Sequence, residues 1–204
     1  MKKKFLTGCG IFIAVIILIL IISIIAIIGK YNTLVKLDEN VKEKWSQVEN
    51  VYQRRYDLIP NLVATVKGYA KHENETLVQV TQARSKVGGM LNVSDKVLSD
   101  PKMFSKFQQA QGELSSALQR LMVVVEKYPD LKANENFLAL QDQFEGTENR
   151  IAVERRRFNE AAREYYTFRK RFPTVLIANM LGFTERPYFK SQQGAETAPK
   201  VNFD

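Results

Sequence analysis

The feature that most constrains this chain is an uninterrupted apolar stretch from Ile11 to Ile28. Among its eighteen residues Ser23 is the single polar one, and none is charged. An α-helix of this length spans about 27 Å, close to the hydrocarbon thickness of a bilayer. Because a helix satisfies its own backbone hydrogen bonds, it can cross lipid without a partner. We therefore predict a transmembrane anchor over residues 11–29, preceded by a short basic tail over residues 1–10.

The distribution of charge does not favour nucleic acid as a partner. The net charge is +8, but four of the 30 Lys and Arg residues lie within residues 1–30, which contain no acidic residue. The remaining 26 basic residues are nearly balanced by 22 acidic ones. A nucleic-acid-binding domain normally has a larger basic excess in its folded part, so we expect no nucleic-acid partner.

The cysteine and histidine contents exclude several kinds of site. Cys9 is the only cysteine and precedes the apolar stretch, so the rest of the chain has neither a disulfide nor thiol chemistry. His72 is the only histidine, which excludes zinc sites built from several histidines and paired Glu-x-x-His di-iron sites. No nucleophile lies at a recognised spacing from a base. The sequence therefore predicts no enzyme, no cofactor and no metal site.

Beyond Tyr31 the apolar residues recur at helical spacing, with no strand-like alternation of useful length. Gly88-Gly89 is expected to end one helix. Residues 90–100 are expected to form a loop, with a short helical turn within it as the alternative. Asp100-Pro101 then combines an N-cap acceptor with proline at the first helical position, a typical helix start. We predict an all-α fold, in which an N-terminal single transmembrane helix is followed by an elongated antiparallel helical bundle with coiled-coil-like packing.

The last long helix, predicted over residues 134–172, has the clearest period. A large apolar residue occurs at every seventh position, at Phe137, Phe144, Ile151, Phe158, Tyr165 and Phe172. A strict seven-residue period is typical of helices that supercoil against their neighbours. Polar residues in the second seam of this helix predict hydrogen bonds or ion pairs between helices.

A short apolar segment, residues 175–183, follows Pro173. We expect it to cap the end of the bundle, and a contact with the membrane surface or with a partner is the alternative. The bundle domain is therefore predicted over residues 30–183. The polar residues 184–204 are predicted to form an extended, flexible tail.

Two blocks of the sequence match a known pattern over nearly the whole chain. They comprise Tyr31-Asn32-Thr33-Leu34-Val35, Trp45-Ser46-Gln47-Val48-Glu49, the run from Gln53 to Val63, the run from Glu145 to Ile151, and Arg155, Tyr165 and Phe172-Pro173. In these residues the chain resembles the LemA family of bacterial membrane proteins. Members typically have asparagine where this chain has Tyr166. The resemblance implies a single-pass anchor and an all-helical domain, and it favours binding to other envelope proteins. It supplies no enzymatic activity.

Charged and polar residues of both blocks form the candidate interaction site. If the two long helices pack together, their carboxylates and guanidinium groups can form one network. Such a network sets the register between helices, or alternatively it docks a partner peptide or a lipid head group. The candidate residues are Arg54, Arg55, Tyr56, Asp57, Glu145, Glu148, Asn149, Arg150 and Arg155.

The function that these features predict is a membrane-anchored helical scaffold or adaptor. Its expected partners are the lipid bilayer and an unidentified membrane or envelope protein, and assembly into a homo-oligomer stays open. The alternative is a membrane-associated enzyme or anionic-ligand-binding module that uses the Arg/Glu cluster. We expect the bacterial cytoplasmic (inner) membrane, with the domain on its outer face. The basic residues that decide this orientation lie on both sides of the anchor: Lys2, Lys3 and Lys4 before it, and Lys30, Lys36, Lys42 and Lys44 after it.

Overall fold

The computed structural model describes residues 2–70, 72–91 and 94–190, and the side chains of residues 12–70, 72–91 and 96–190. Every regular element in this part of the chain is an α-helix, which confirms the predicted all-α class. The helices are α1 (Lys2–Tyr69), α2 (Asn74–Leu91), α3 (Ser94–Ser99), α4 (Pro101–Val125), α5 (Pro129–Lys132), α6 (Glu135–Lys170) and α7 (Thr174–Met180). The Cys9 side chain and residues 191–204 of the predicted tail lie outside the described residues.

The predicted anchor forms the first part of α1, a helix of 68 residues. An 18-residue window of this helix has a mean hydropathy of 3.4, and none of that window is buried. The Ser23 hydroxyl donates to the carbonyl oxygen of Ile19 at 2.8 Å, so the one polar side chain of the apolar stretch is satisfied within the helix. Among the described helices, α1 alone is long and apolar enough to cross a membrane. These features indicate a membrane protein, and the boundary at residue 29 stays a prediction because the helix continues past it.

The contacts divide the chain into two compact units. Unit 1 consists of Met1–Val41 and Arg163–Glu185, and unit 2 consists of Lys42–Ala162 and Arg186–Asp204. Each unit therefore contains part of α1 and part of α6. The candidate site lies in unit 2.

In unit 2 the long helices form a bundle in which successive helices are antiparallel. Between α2 and α4, Gln79 pairs with Arg120 and Lys86 pairs with Glu113, so the two helices run in opposite directions. Between α1 and α6, the ring of Trp45 lies 5.5 Å from that of Phe158, whereas the Tyr69 hydroxyl accepts from Asn134. One part of the core of this bundle is mainly aliphatic, and its largest fully buried members include Ile59, Leu62, Leu114, Leu118, Leu121, Leu131 and Phe137.

The seven-residue column of α6 is buried along most of its length. Phe137, Ile151, Phe158 and Tyr165 are buried, and Phe144 is half-buried. Phe172 is different, because its side chain is 82% exposed. The expectation that this residue continues the column is wrong, since α6 ends at Lys170. The residue before a proline is biased away from helical conformation, so the chain leaves the helix before Pro173 and the period no longer applies.

The start of α4 is as predicted, but the end of α2 is not. The Asp100 carboxylate accepts from the backbone N–H of Lys102 at 2.8 Å, which confirms the cap. Gly88 and Gly89 were expected to end a helix, yet α2 continues through both to Leu91. At Gly88 the helix needs a small residue for a packing reason, because an added Cβ would lie 2.9 Å from the Tyr56 hydroxyl. The expected loop contains the short helix α3, which agrees with the alternative of a helical turn there.

The two glycines of α2 are expected to respond differently to alanine. A Cβ at Gly89 would meet nothing within 4 Å, so Gly89→Ala should stabilise the protein by up to about 1 kcal/mol through helix propensity. Gly88→Ala should give no net gain, because the Tyr56 ring, which is stacked 3.8 Å from the Arg84 guanidinium, must move. Denaturant unfolding of the two variants measures the difference. Equal stabilisation by both would show that the contact with Tyr56 is not restrictive.

Candidate functional site

Arg55 is the centre of the candidate site, because α1 places it on the face that enters the core. The stripe Trp45, Val48, Tyr52 and Ile59 advances in steps of three, four and seven, and Arg55 completes it three residues after Tyr52. Only 1% of Arg55 is exposed. A buried guanidinium is destabilising unless its donors are paired, so the surrounding helices must supply acceptors.

Those acceptors come from two other helices. The Arg55 Nη1 donates to the Glu148 carboxylate on α6 and to the Ser115 hydroxyl on α4, each at 2.9 Å. Its Nη2 donates to the amide oxygen of Gln111 on α4. The guanidinium also lies 5.1 Å from the centroid of the Tyr52 ring. Arg55 therefore joins α1, α4 and α6 at one level of the bundle, as an ion pair that sets the register between helices would.

Two donors of this network lack an acceptor. The Arg55 Nε and the Gln111 Nε2 are buried, and neither has a hydrogen-bond partner among the described residues. Glu148 differs from both, because 35% of its side chain is exposed. The pair thus has a buried cationic end and a carboxylate end that faces solvent.

The carboxylate end opens into a groove of about 750 Å³. Its lining is mainly polar and comes from α1, α4, α6 and the segment after α7. The charged lining residues are Arg55, Glu148, Arg155 and Lys190, so cations outnumber anions. Uncharged polar residues complete it, namely Tyr52, Ser105, Gln108, Gln109, Gln111, Ser115, Ser116 and Gln119. A groove of this kind suits a polar or acidic group better than an apolar ligand.

Tyr52 lies at the floor of the groove with a perturbed hydroxyl. Burial raises the pKa of Tyr52 above its ordinary value of 10.0, although the nearby charges of Arg155 and Arg55 act in the opposite direction. The folded protein therefore holds the phenol proton at a pH at which the unfolded chain has lost it. Stability is fully present below the unfolded pKa and is lost as the pH rises through the folded pKa.

We expect the free energy of unfolding to fall above the ordinary tyrosine pKa of about 10, by at most about 1.4 kcal/mol per pH unit for this one group. Tyr52→Phe keeps the ring, which packs at 5.3 Å edge-to-face on Phe107, but removes the proton. The variant should show a shallower loss of stability in alkaline denaturant titrations. An unchanged slope would contradict the assignment of this loss to Tyr52.

Next to the groove, an aromatic cluster encloses a residue from the segment that follows α7. The Phe189 ring lies 4.8 Å from Phe104, 5.5 Å from Phe158 and 6.1 Å from Trp45. Asn159 fixes the backbone of this residue twice, because its amide donates to the Phe189 carbonyl and accepts from the Phe189 N–H, each at 2.9 Å. An extended segment is therefore held by one anchoring ring and by hydrogen bonds to its main chain.

The same segment enters the groove at its next residue. The Lys190 carbonyl accepts from the Gln108 amide at 2.8 Å and from the Arg155 Nη2 at 3.0 Å. The Arg155 guanidinium also lies 4.7 Å from the centroid of the Phe189 ring. Arg155 thus contacts both the anchored ring and the main chain beside it.

The structure brings together some of the nine candidate residues and separates the others. Arg55, Glu148 and Arg155 line the groove. Tyr56 lies outside it, half-buried against Arg84 of α2. The other candidates are exposed, and two of them accept only from their own helix, Asp57 from Gln53 and Glu145 from Gln141. These exposed candidates are Arg54, Asp57, Glu145, Asn149 and Arg150.

Several residues of the groove and of the aromatic cluster beside it were not anticipated from the sequence. Gln111 had a visible signal, because it is a polar residue at a core position of the α4 stripe between Phe107 and Leu114. Gln108, Asn159 and Phe189 had none, since their roles depend on where the chain returns after α7. Within residues 12–70, 72–91 and 96–190, no group of three His, Cys, Asp or Glu side chains could hold a metal ion.

The chain is similar in sequence to several known proteins. Magnetosome proteins MamQ 2 and MamQ 1 of Paramagnetospirillum magneticum are each 28% identical to the chain over 196 residues, covering 87% of it and 72% of their own length. Protein LemA of Metamycoplasma hominis is 26% identical over 194 residues, covering 94% of the chain and 84% of its own length. The model of the LemA family matches residues 44–203, which include the bundle and the groove. The chain therefore belongs to the LemA family.

Proposed function

We propose that this protein is a membrane-anchored helical scaffold that binds partner proteins, and that the groove beside Arg55 docks an extended segment of a partner. The observation that carries this proposal is the way unit 2 already holds Phe189 and Lys190 of its own chain. Asn159, Gln108 and Arg155 bind the main chain of that segment, and one ring enters an aromatic pocket. Main-chain hydrogen bonds with pockets for individual side chains are a recurring mode of peptide recognition.

The charge of the groove indicates which segment it would accept. Arg55 is paired with Glu148, which leaves Arg155 and Lys190 as the remaining cations of the lining. The Lys190 side chain is exposed. A partner segment with an Asp or Glu side chain would complement these charges, and such complementarity mainly contributes specificity and association rate.

The rigidity of the groove also supports docking. Arg55 ties α1, α4 and α6 together, so the surface formed by their polar residues is fixed before a partner arrives. A surface that is already ordered loses less conformational entropy on binding. The buried ion pair would then have a structural role that serves the binding surface.

Site-specific photo-crosslinking in intact membranes tests the proposal. A photoreactive amino acid at Gln119 lies in the groove lining, whereas one at Val123 is on the same helix, exposed and outside the lining. We expect discrete adducts from Gln119 and not from Val123. Arg155→Gln, which keeps a hydrogen-bonding side chain but removes the charge, should weaken the adduct while the helical circular dichroism stays unchanged.

The identity of the crosslinked partner distinguishes a self-assembling scaffold from an adaptor for a different protein. A covalent dimer of the chain would show that the docked segment comes from a second copy, the self-assembling form. A different protein, identified by mass spectrometry and lost with Arg155→Gln, would show an adaptor. If Gln119 gives no adduct that Val123 lacks, the groove is not a docking surface and the proposal fails.

An anionic-ligand-binding module is a second candidate, favoured by the unpaired donors Arg55 Nε and Gln111 Nε2. A small dicarboxylate or inorganic phosphate that binds there should raise the thermal midpoint of the detergent-solubilised chain by mass action. Arg155→Gln should abolish that rise. No change in the midpoint at saturating concentrations of either anion would remove this candidate in favour of the scaffold.

We also propose that the bundle lies on the outer face of the cytoplasmic membrane. Support comes from the three lysines at positions 2–4, which favour retention of the amino terminus in the cytoplasm. Protease treatment of sealed cells should degrade the bundle if it is exported. Full protection in sealed cells, with degradation after lysis, would reverse the orientation.

A further inference from the structure

Unit 1 carries an apolar surface that no described residue covers. This α7 patch consists of Phe172, Leu176, Met180 and Leu181, which are 82%, 55%, 84% and 53% exposed. Single exposed apolar side chains are ordinary, but here four occur within ten residues, and Leu176 and Met180 lie one turn apart on the same face of α7. Such a concentration of exposed apolar side chains marks an interaction site. The opposite side of α7 is packed, because Thr174 and Ala178 are buried.

The α7 patch is held in place by polar contacts at its base. The Arg169 guanidinium donates to the Phe183 carbonyl at 2.8 Å and to the Asn179 amide oxygen at 3.1 Å, which fixes the chain after α7. The Tyr165 hydroxyl donates to the Thr184 carbonyl at 2.7 Å. The patch is therefore a preformed surface of unit 1, with its apolar side chains turned away from the helices beneath.

Contacts within unit 1 place this patch beside the end of the apolar stretch of α1. Tyr31 stands three residues after Ile28, and its ring lies 6.0 Å from Phe183 in an edge-on arrangement. The Lys30 ammonium lies 5.4 Å from the centroid of the Phe168 ring. Phe168 and Phe183 flank α7 on either side in sequence. The residues that follow the apolar stretch thus contact the residues that bracket the patch.

The length of the apolar stretch fixes the depth of these contacts. A span of about 20 residues crosses the hydrocarbon core, so a stretch that ends at Ile28 puts Lys30 and Tyr31 at the level of the head groups. Tyrosine is typical of that level, since its ring is apolar and its hydroxyl is hydrated. The contacts of Lys30 and Tyr31 therefore place Phe168 and Phe183, which lie on either side of α7 in the sequence, near this level.

Basic residues adjoin the patch on its polar side. Arg169, Lys170 and Arg171 directly precede Phe172, the first residue of the patch, and Lys30 adds a further cation from α1. An apolar surface bordered by Lys and Arg is typical of segments that lie in the membrane interface and attract anionic lipids. One carboxylate, that of Glu185, partly offsets the positive charge of this group. Its Oε1 lies 3.4 Å from the Arg169 Nη1 and 3.9 Å from the Lys170 Nζ.

We infer that the α7 patch inserts into the interface of the bilayer that the apolar stretch of α1 crosses. The protein then has two lipid contacts, a spanning helix and a short interfacial helix, joined through the Tyr31–Phe183 and Lys30–Phe168 contacts. This contact fixes how unit 1 meets the membrane surface. It does not depend on the proposed groove function, because the groove belongs to unit 2.

A fluorescent probe of depth tests this inference on the full chain. Cys9→Ser removes the only natural thiol, and Met180→Cys or Glu164→Cys then adds one for an environment-sensitive label. Glu164 is an exposed polar position on α6 in the same unit and serves as the control. Both variants are reconstituted in vesicles of phosphatidylethanolamine and phosphatidylglycerol, with or without a nitroxide quencher attached near the head group.

We expect the label at position 180 to shift to shorter emission wavelength and to lose most of its fluorescence to the lipid-attached quencher. The label at position 164 should show neither effect. Leu176→Glu, a substitution at an exposed position, should reverse the wavelength shift at position 180 without loss of helical circular dichroism. Equal quenching at both positions would overturn the inference. A wavelength shift at position 180 that depends on protein density and not on the quencher would assign the patch to a second copy, which also overturns it.

Discussion

Replacing Arg55 with alanine is expected to lower the free energy of unfolding by about 3 kcal/mol, whereas the same change at Arg54 should stay within about 0.5 kcal/mol. The two residues are neighbours with equal charge, but they differ in burial. Arg55 is 1% exposed and bonds to three residues on two other helices, and Arg54 is exposed. Removal of the Arg55 side chain leaves the buried amide oxygen of Gln111 without its donor and opens a cavity in the seam.

Denaturant unfolding of the detergent-solubilised full chain measures this difference, with circular dichroism as the signal. Arg55→Lys should give an intermediate loss, because an ammonium keeps the charge but cannot reach three acceptors with the geometry of a guanidinium. If Arg55→Ala and Arg54→Ala destabilise equally, the polar network does not hold the bundle. A large loss of stability for Arg54→Ala alone would mean that Arg54, and not Arg55, is the buried residue.

The second large effect is expected at Phe158. Phe158→Ala should lower the free energy of unfolding by about 3–5 kcal/mol, because it removes a fully buried ring from the aromatic cluster. That ring lies 5.5 Å from Trp45 and 5.5 Å from Phe189. Phe172→Ala, at a position two heptads further along the same column, should change stability by no more than about 0.5 kcal/mol, because that ring is exposed.

Thermal and denaturant unfolding of the two phenylalanine variants in detergent decide this comparison. Similar losses at both positions would mean that the column is buried to its end, as the seven-residue period alone predicts. A small loss at Phe158 would mean that the aromatic cluster contributes little to the bundle. Tryptophan fluorescence provides a second signal, since Trp45 is the only tryptophan and belongs to this cluster.

The helices were predictable because burial in a bundle follows the helical period. The α4 stripe illustrates this, since Phe104, Phe107, Leu114, Leu118 and Leu121 are all buried as their spacing predicts. The period is a local property of one helix, and it fails where the helix stops. Phe172 lies beyond the end of α6. Gly88 stays inside α2, where the missing side chain leaves room for Tyr56.

The site was predictable only in part, for a geometric reason. Consecutive residues of an α-helix point about 100° apart, so a run such as residues 54–57 cannot all face one neighbour. Only Arg55 of that run enters the core, and its partners depend on the register of α4 and α6. A single sequence does not contain that register. Gln111 could have been suspected as a polar residue in an apolar seam, but its contact with Arg55 spans 56 positions.

The segment after α7 illustrates the same difficulty at longer range. Its composition is polar and favours a flexible tail, yet Phe189 is buried and its backbone is fixed by Asn159. Neither residue has a sequence signal, because the contact requires the chain to return along α6. The predicted domain boundaries, including the tail over residues 184–204, stay predictions.

Membrane anchoring is the claim on which the other proposals rest, and sedimentation after alkaline carbonate extraction of lysed cells tests it most directly. Carbonate releases proteins that are held only at the membrane surface, and it leaves a spanning helix in the bilayer. We expect the full chain in the membrane pellet, and a variant without residues 2–29 in the supernatant. Recovery of the full chain in the supernatant would contradict the anchor, the orientation and the interfacial contact of α7 together.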